Sequence, residues 1–112
     1  MAGVRGLQSA LIEGTILAGS WRQAAVTLST SAVALTATST PVLWVLINNI
    51  STINVFVGSS TVTPTGATRG IRITQNGNSP VLQINDLSQV FVVAESGTPV
   101  ITYIAGVAPA DS

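Results

Sequence analysis

The sequence predicts an all-β fold, a single β-sandwich or jelly-roll-like barrel of about eight short strands preceded by an extended N-terminal arm. Three observations predict it. The 112 residues include 14 valines, 10 isoleucines and 14 threonines, the types that suit a pleated surface. Short apolar stretches alternate with clusters of turn formers, and no self-similarity occurs at the roughly 20 to 50 residue periods of solenoids or propellers. From Gln89 to Ala94 both alternating rows are apolar, with Val90, Val92 and Ala94 on one side and Phe91 and Val93 on the other. Neither face of that strand suits water, so it is expected to be central.

The chain divides into an arm, residues 1–20, and a β-domain, residues 21–112. In the arm Gly3, Gly6, Gly14 and Gly19 interrupt an apolar series without steady alternation. Leu7, Leu11, Ile12, Ile16 and Leu17 are too apolar for a solvated tail, so they are expected to dock on a neighbouring subunit. Ala24–Thr30 and Ala32–Thr38 alternate and predict two partner strands or one long bent strand. Pro41 opens the apolar run Val42–Ile47, in which Trp44 is expected to be buried; Trp21, at the junction of arm and domain, is the better interface anchor. Asn54–Val57 predicts a strand closed by Gly58, and residues 59–70, small and polar, predict the longest loop.

Alternation resumes at Ile71-Arg72-Ile73, with the isoleucines inward and Arg72 outward, and Asn76-Gly77 follows as a hairpin signal. In so weakly charged a chain Arg72 is expected to pair at a subunit contact. Asn85–Ser88 turns the chain into the central strand. Glu95–Thr98, with Gly97 available for positive φ and Pro99 behind it, predicts a hairpin to a return strand over Val100–Ile104.

Composition narrows the function. Charged residues make up 7% of the chain, against about 25% in a typical soluble protein, while hydrophobic residues make up 46%. A monomer so poor in charge leaves a weakly solvated surface, so a homo-oligomer is expected. Four arginines balance four carboxylates, which argues against nucleic acid and anionic membrane surfaces as partners. Glu13 interrupts the only candidate signal segment, and the longest apolar run falls far short of the roughly 18 residues of a membrane span. Synthesis in the cytoplasm is expected. The tripeptide Asn49-Ile50-Ser51 matches a glycosylation acceptor but means little without secretion.

Chemistry is nearly absent. With no histidine, cysteine or lysine, the usual bases, thiol nucleophiles and Schiff-base amines are missing, so no enzyme and no cofactor are expected. Asp86 and Glu95 bracket the central strand, about 20 Å apart if it is straight, too far for a glycosidase pair. Asp86 is expected to cap its own turn. The four carboxylates are scattered rather than clustered for calcium.

The segment NVFVGSSTVTPTGATRGIRI, followed by NSPVLQINDLSQVFVVAESGTPVITYIAG, resembles a β-rich module of small virion structural proteins of tailed bacteriophages. The matching residues are Val55, Val57, Gly58, Val62, Thr63, Gly66, Asp86, Leu87, Val90, Phe91, Ala94, Ser96, Gly97 and Thr98, within Asn54–Gly106. The resemblance implies a structural role in the virion, foremost a capsid cement or decoration protein. Such a protein sits on the shell as a symmetric oligomer, a trimer by preference, against the major capsid protein. A tail, connector or fibre protein and a carbohydrate-binding β-sandwich are the alternatives.

Overall fold

The computed structural model describes residues 19–107, so the arm's Leu7, Leu11, Ile12, Ile16 and Leu17 lie outside the described residues. Seven strands occur among them: β1 (Ser20–Thr27), β2 (Val33–Ala34), β3 (Trp44–Asn48), β4 (Val55–Gly58), β5 (Ile71–Ile73), β6 (Phe91–Ala94) and β7 (Val100–Val107). They form two antiparallel sheets, one ordered β1-β7-β3 and the other β2-β6-β4-β5. The sheets pack as a sandwich, as the apolar patterning predicts.

The two-sided strand is central, as expected. Val92 and Ala94 of β6, with Val90 just before it, join the core between the sheets, alongside Ile101, Tyr103 and Ala105 of β7 and Val45 and Ile47 of β3. Phe91 and Val93 face the other way. There they pack with Phe56 of β4 and Val62, a residue of the 59–70 loop that folds back over the outer face of the four-stranded sheet. Burying each large aliphatic side chain of this kind contributes about 1.5 to 3 kcal/mol. That loop re-enters the sheet at Gly70, whose φ is +73 and where a Cβ would stand 2.2 Å from the Val57 carbonyl oxygen. Only glycine fits there.

The chain connects differently from the sequence reading. Glu95–Pro99 does not close a hairpin: β6 pairs with β2 and β4, whereas β7 pairs with β1 and β3 in the opposite sheet. Gly97 does take positive φ, +65, but the reversal carries the chain across the sandwich. Two strands with apolar residues on both faces thereby each become an inner strand of a separate sheet. Asn76-Gly77 is likewise no hairpin. Asn76 takes the positive φ of a Thr74–Gly77 turn, and the chain leaves β5 to run beside β3 in the other sheet. The Ala24–Thr30 and Ala32–Thr38 stretches also separate, since β1 and β2 belong to different sheets. Trp44 is only half-buried because its side of β3 faces out, and both isoleucines of β5 share the inward row with Val55 and Val57, but at this edge strand Ile73 is buried while Ile71 stays exposed.

Candidate interaction surface

Residues paired in an antiparallel register share a face, so the register of the three-stranded sheet reads out its outer surface row by row. Trp21, Gly106 and Trp44 form one row, Gln23, Ile104 and Leu46 the next, and Ala25, Thr102 and Asn48 the third. Thr27 and Val100 follow. None of these residues is charged. Gly106 is buried between the two tryptophans, Trp21 is 72% exposed, and Trp44, Leu46, Thr102 and Ile104 are half-buried. A groove of about 510 Å³ runs over this face, lined by Gln23, Leu46, Asn48, Asn78, Thr102 and Ile104. An aromatic-edged sheet face with amides and no charge is suited to an uncharged, partly apolar partner surface.

The two edges of this sheet differ. Beyond β3, residues 77–85 run alongside and close the edge. Val45 and Leu82 exchange two backbone hydrogen bonds of 2.9 and 2.8 Å, Ser79 N–H donates to the Ile47 carbonyl, and Asn49 N–H donates to the Gly77 carbonyl. The Ser79 hydroxyl accepts from Ile47 N–H at 2.9 Å. Beyond β1 no strand follows among the described residues.

Polar side chains secure the two ends of the closed edge. Asn49, fully buried, donates from Nδ2 to the carbonyls of Ile53, Ile73 and Thr74 and accepts at Oδ1 from the amide and hydroxyl of Ser51. Its amide nitrogen is therefore inaccessible to glycosylation in the folded chain. Asp86 caps the short 3-10 turn Leu87–Gln89, as expected, accepting from the amide and hydroxyl of Ser88. It also accepts from the Ser39 hydroxyl and from Thr40 N–H, tying the approach to β3 to the covering segment. The Ser39 hydroxyl first, then the Thr40 and Ser88 amides and the Ser88 hydroxyl, hold its carboxyl well below the usual carboxylate range.

Trp21 and Arg72 are not brought together. Trp21 lies on the outer face of the three-stranded sheet, whereas Arg72 is opposite Phe56 on the outer face of the four-stranded one, exposed at its β5 edge. Sequence reasoning missed Gln23, Leu46, Asn48, Asn78, Thr102 and Ile104. The Trp21-x-Gln23-x-Ala25-x-Thr27 alternation, which extends the strand back from Ala24, is the sequence signal for the first of these. Asn78 lies on the covering segment, where no periodicity marks it.

Among the described residues no group of three or more acidic or metal-ligating side chains converges, and no helix is long and apolar enough to cross a membrane. No family model matches the chain, and no curated protein matches it.

Proposed function

We propose that the chain is a structural protein of a tailed-phage virion, of the capsid cement or decoration kind. It binds the outer shell as a homo-oligomer and bridges neighbouring copies of the major capsid protein. The observation that carries this is the outer face of the three-stranded sheet, which is uncharged, edged by Trp21 and Trp44, and bounded by β1, beyond which no strand follows among the described residues. The residues that carry the family resemblance support it from the other side. They fall in β4, the 59–70 loop, the Asp86 cap, β6 and the Gly97 turn, which together build the four-stranded sheet and its connections. The matching residues named are thus scaffold, and although the resembling segment runs on through β7, the middle strand of the three-stranded sheet, β1 and β3 with both tryptophans lie outside it. Many weak repeated contacts on a shell add avidity without any being strong.

Mass spectrometry of salt-washed, purified virions tests this: stoichiometric recovery of the chain is the expected result, and its absence from virions rejects the reading. Trp21→Ala is expected to lower occupancy on shells about tenfold or more, since exposed tryptophans dominate such contacts.

A second reading has its own observation. Two tryptophans in one row beside Gln23, Asn48 and Asn78 also suit stacking and amide bonding to a neutral glycan. Glycan-array binding that is lost in both Trp21→Ala and Trp44→Ala, with no retention on shells, favours that reading.

A further inference from the structure

We propose that β1 is a self-pairing edge: two copies of the chain join β1 to β1 antiparallel about a twofold axis beside Ala24, making one continuous six-stranded sheet. This deepens the homo-oligomer part of the reading above and names its contact.

The backbone geometry selects which groups are available. Leu28 N–H donates to the Pro99 carbonyl at 2.8 Å, in register with the Val26↔Ile101, Ala24↔Tyr103 and Arg22↔Ala105 pairs. Hydrogen-bonded pairs alternate along an antiparallel ladder, so Arg22, Ala24 and Val26 point their amides and carbonyls at β7. Trp21, Gln23, Ala25 and Thr27 point theirs away from it, to the open edge. An eight-residue strand with four such residues is a template for another strand.

The surroundings leave room for one. All of β1 is exposed except the half-buried Val26, because the edge strand β2 of the opposite sheet is only two residues long. Other edges are closed or short. The β3 edge is bonded to residues 77–85, and β5 spans three residues with Arg72 at its middle.

The occupant is a second copy because β1 is complementary to itself in one register. With Ala24 opposite Ala24 of the second copy, Trp21 pairs with Thr27 and Gln23 with Ala25, each twice. All four outward residues of both strands then bond, giving about eight inter-chain hydrogen bonds. The single charge on the strand, Arg22, falls opposite Val26 and not opposite itself. Ala24 and Ala25 at the centre let the strands approach. A one-residue slip would exchange the faces of the joined sheets, and a two-residue slip would leave outward groups without partners. Pairing of a strand with itself is isologous and closes at two, so the free protein is a dimer rather than the trimer that the phage resemblance implies.

The chain contains no cysteine, which makes a cross-link test clean. Ala24 would face its counterpart as a pair not bonded through the backbone, with Cα atoms about 4.5 Å apart, within reach of a disulfide. Full-length Ala24→Cys is expected to oxidise to a covalent dimer, whereas Thr27→Cys, whose counterpart lies at the far end of the strand, stays uncoupled. Ala25→Pro removes an N–H that β7 does not use, so it is expected to keep its β-sheet circular dichroism while raising the dimer Kd about tenfold or more. Sedimentation of the wild type as a monomer or trimer at micromolar concentration overturns the proposal. So does an Ala24→Cys protein that stays uncoupled under oxidation, or an Ala25→Pro protein that dimerises as tightly as wild type. These measurements use the purified chain alone, so their failure leaves the virion reading to be judged by its own recovery assay.

Discussion

The two edges of the three-stranded sheet show opposite solutions to the same problem. A sheet edge presents unpaired amides and carbonyls, which must be bonded inside the chain, hydrated, or offered to another chain. At β3 the chain bonds them internally, running residues 77–85 alongside: Ser79 bonds Ile47 within that segment, Asn49 ties the end of β3 to the Ile73 and Thr74 carbonyls just before it, and Asp86, just after it, bonds Thr40. At β1 the described chain does nothing of the kind and presents an almost uncharged strand. The contrast teaches that closing an edge takes specific, well-partnered polar side chains at and around it, and that a long edge without them is available for association.

Breaking the closed edge is expected to have the largest effect on stability. Asn49→Leu removes the donor shared by the Ile53, Ile73 and Thr74 carbonyls and the acceptor for Ser51, at full burial. A loss of about 3 kcal/mol is expected, since buried groups left without partners cost about 1 to 3 kcal/mol each and the Ile53 carbonyl keeps the Ser51 hydroxyl as a donor. Ser79→Ala, which orphans the buried Ile47 N–H, is expected to cost about 1 to 2 kcal/mol. Urea denaturation measures both. If either variant is as stable as wild type, the polar clasp is not what holds this edge.

How much of this was legible in the sequence depends on range. The two-sided character of residues 89–94 was readable because alternation is local, and the core assigned Val92 and Ala94 to one side and Phe91 and Val93 to the other. The Asp86 cap and the positive φ of Gly97 were readable for the same reason. Pairing partners were not. Glu95–Thr98 has the chemistry of a reversal, but a reversal does not say whether the next strand bonds its predecessor or crosses to the facing sheet. Trp21 reads as an interface anchor from its place in the sequence, yet its neighbours Leu46 and Ile104 come from β3 and β7 and meet it only through long-range register. Asn49, the hub of the closed edge, looked in sequence like a glycosylation tripeptide because its partners lie as far off as Ile73 and Thr74.

A smaller effect, visible only in acid, is expected from Asp86. Its carboxyl is held low by donors that exist only when the chain is folded. A depressed folded value means that the unfolded chain binds the proton more readily, so the contribution to stability is complete above the ordinary carboxylate range and is lost as pH falls below about 4. The wild type is therefore expected to be more stable than Asp86→Ala at pH 7, with the gap narrowing steadily between about pH 4 and pH 2. Thermal melts across that range check it. A gap that stays constant would assign the effect of Asp86 to packing rather than to its charge.

The smallest stability effects, and the sharpest test of the contrast between edges, belong to Trp21 and Arg72. Both are exposed, and substitution of exposed residues away from special features usually moves stability by about 0.5 kcal/mol or less. Trp21→Ala and Arg72→Ala are thus expected to melt like the wild type. They are expected to part in association. Trp21 is on the open strand and its side chain is on the charge-free face, so its loss removes contact area from the joined sheets as well as from any shell partner. Arg72 lies on the outer face of the other sheet, at the end of the order β2-β6-β4-β5, and takes no part in a β1 contact. Sedimentation equilibrium is expected to show a weaker dimer for Trp21→Ala and an unchanged one for Arg72→Ala. The reverse ranking would move the association surface from the open edge of the three-stranded sheet to the β5 edge of the four-stranded one.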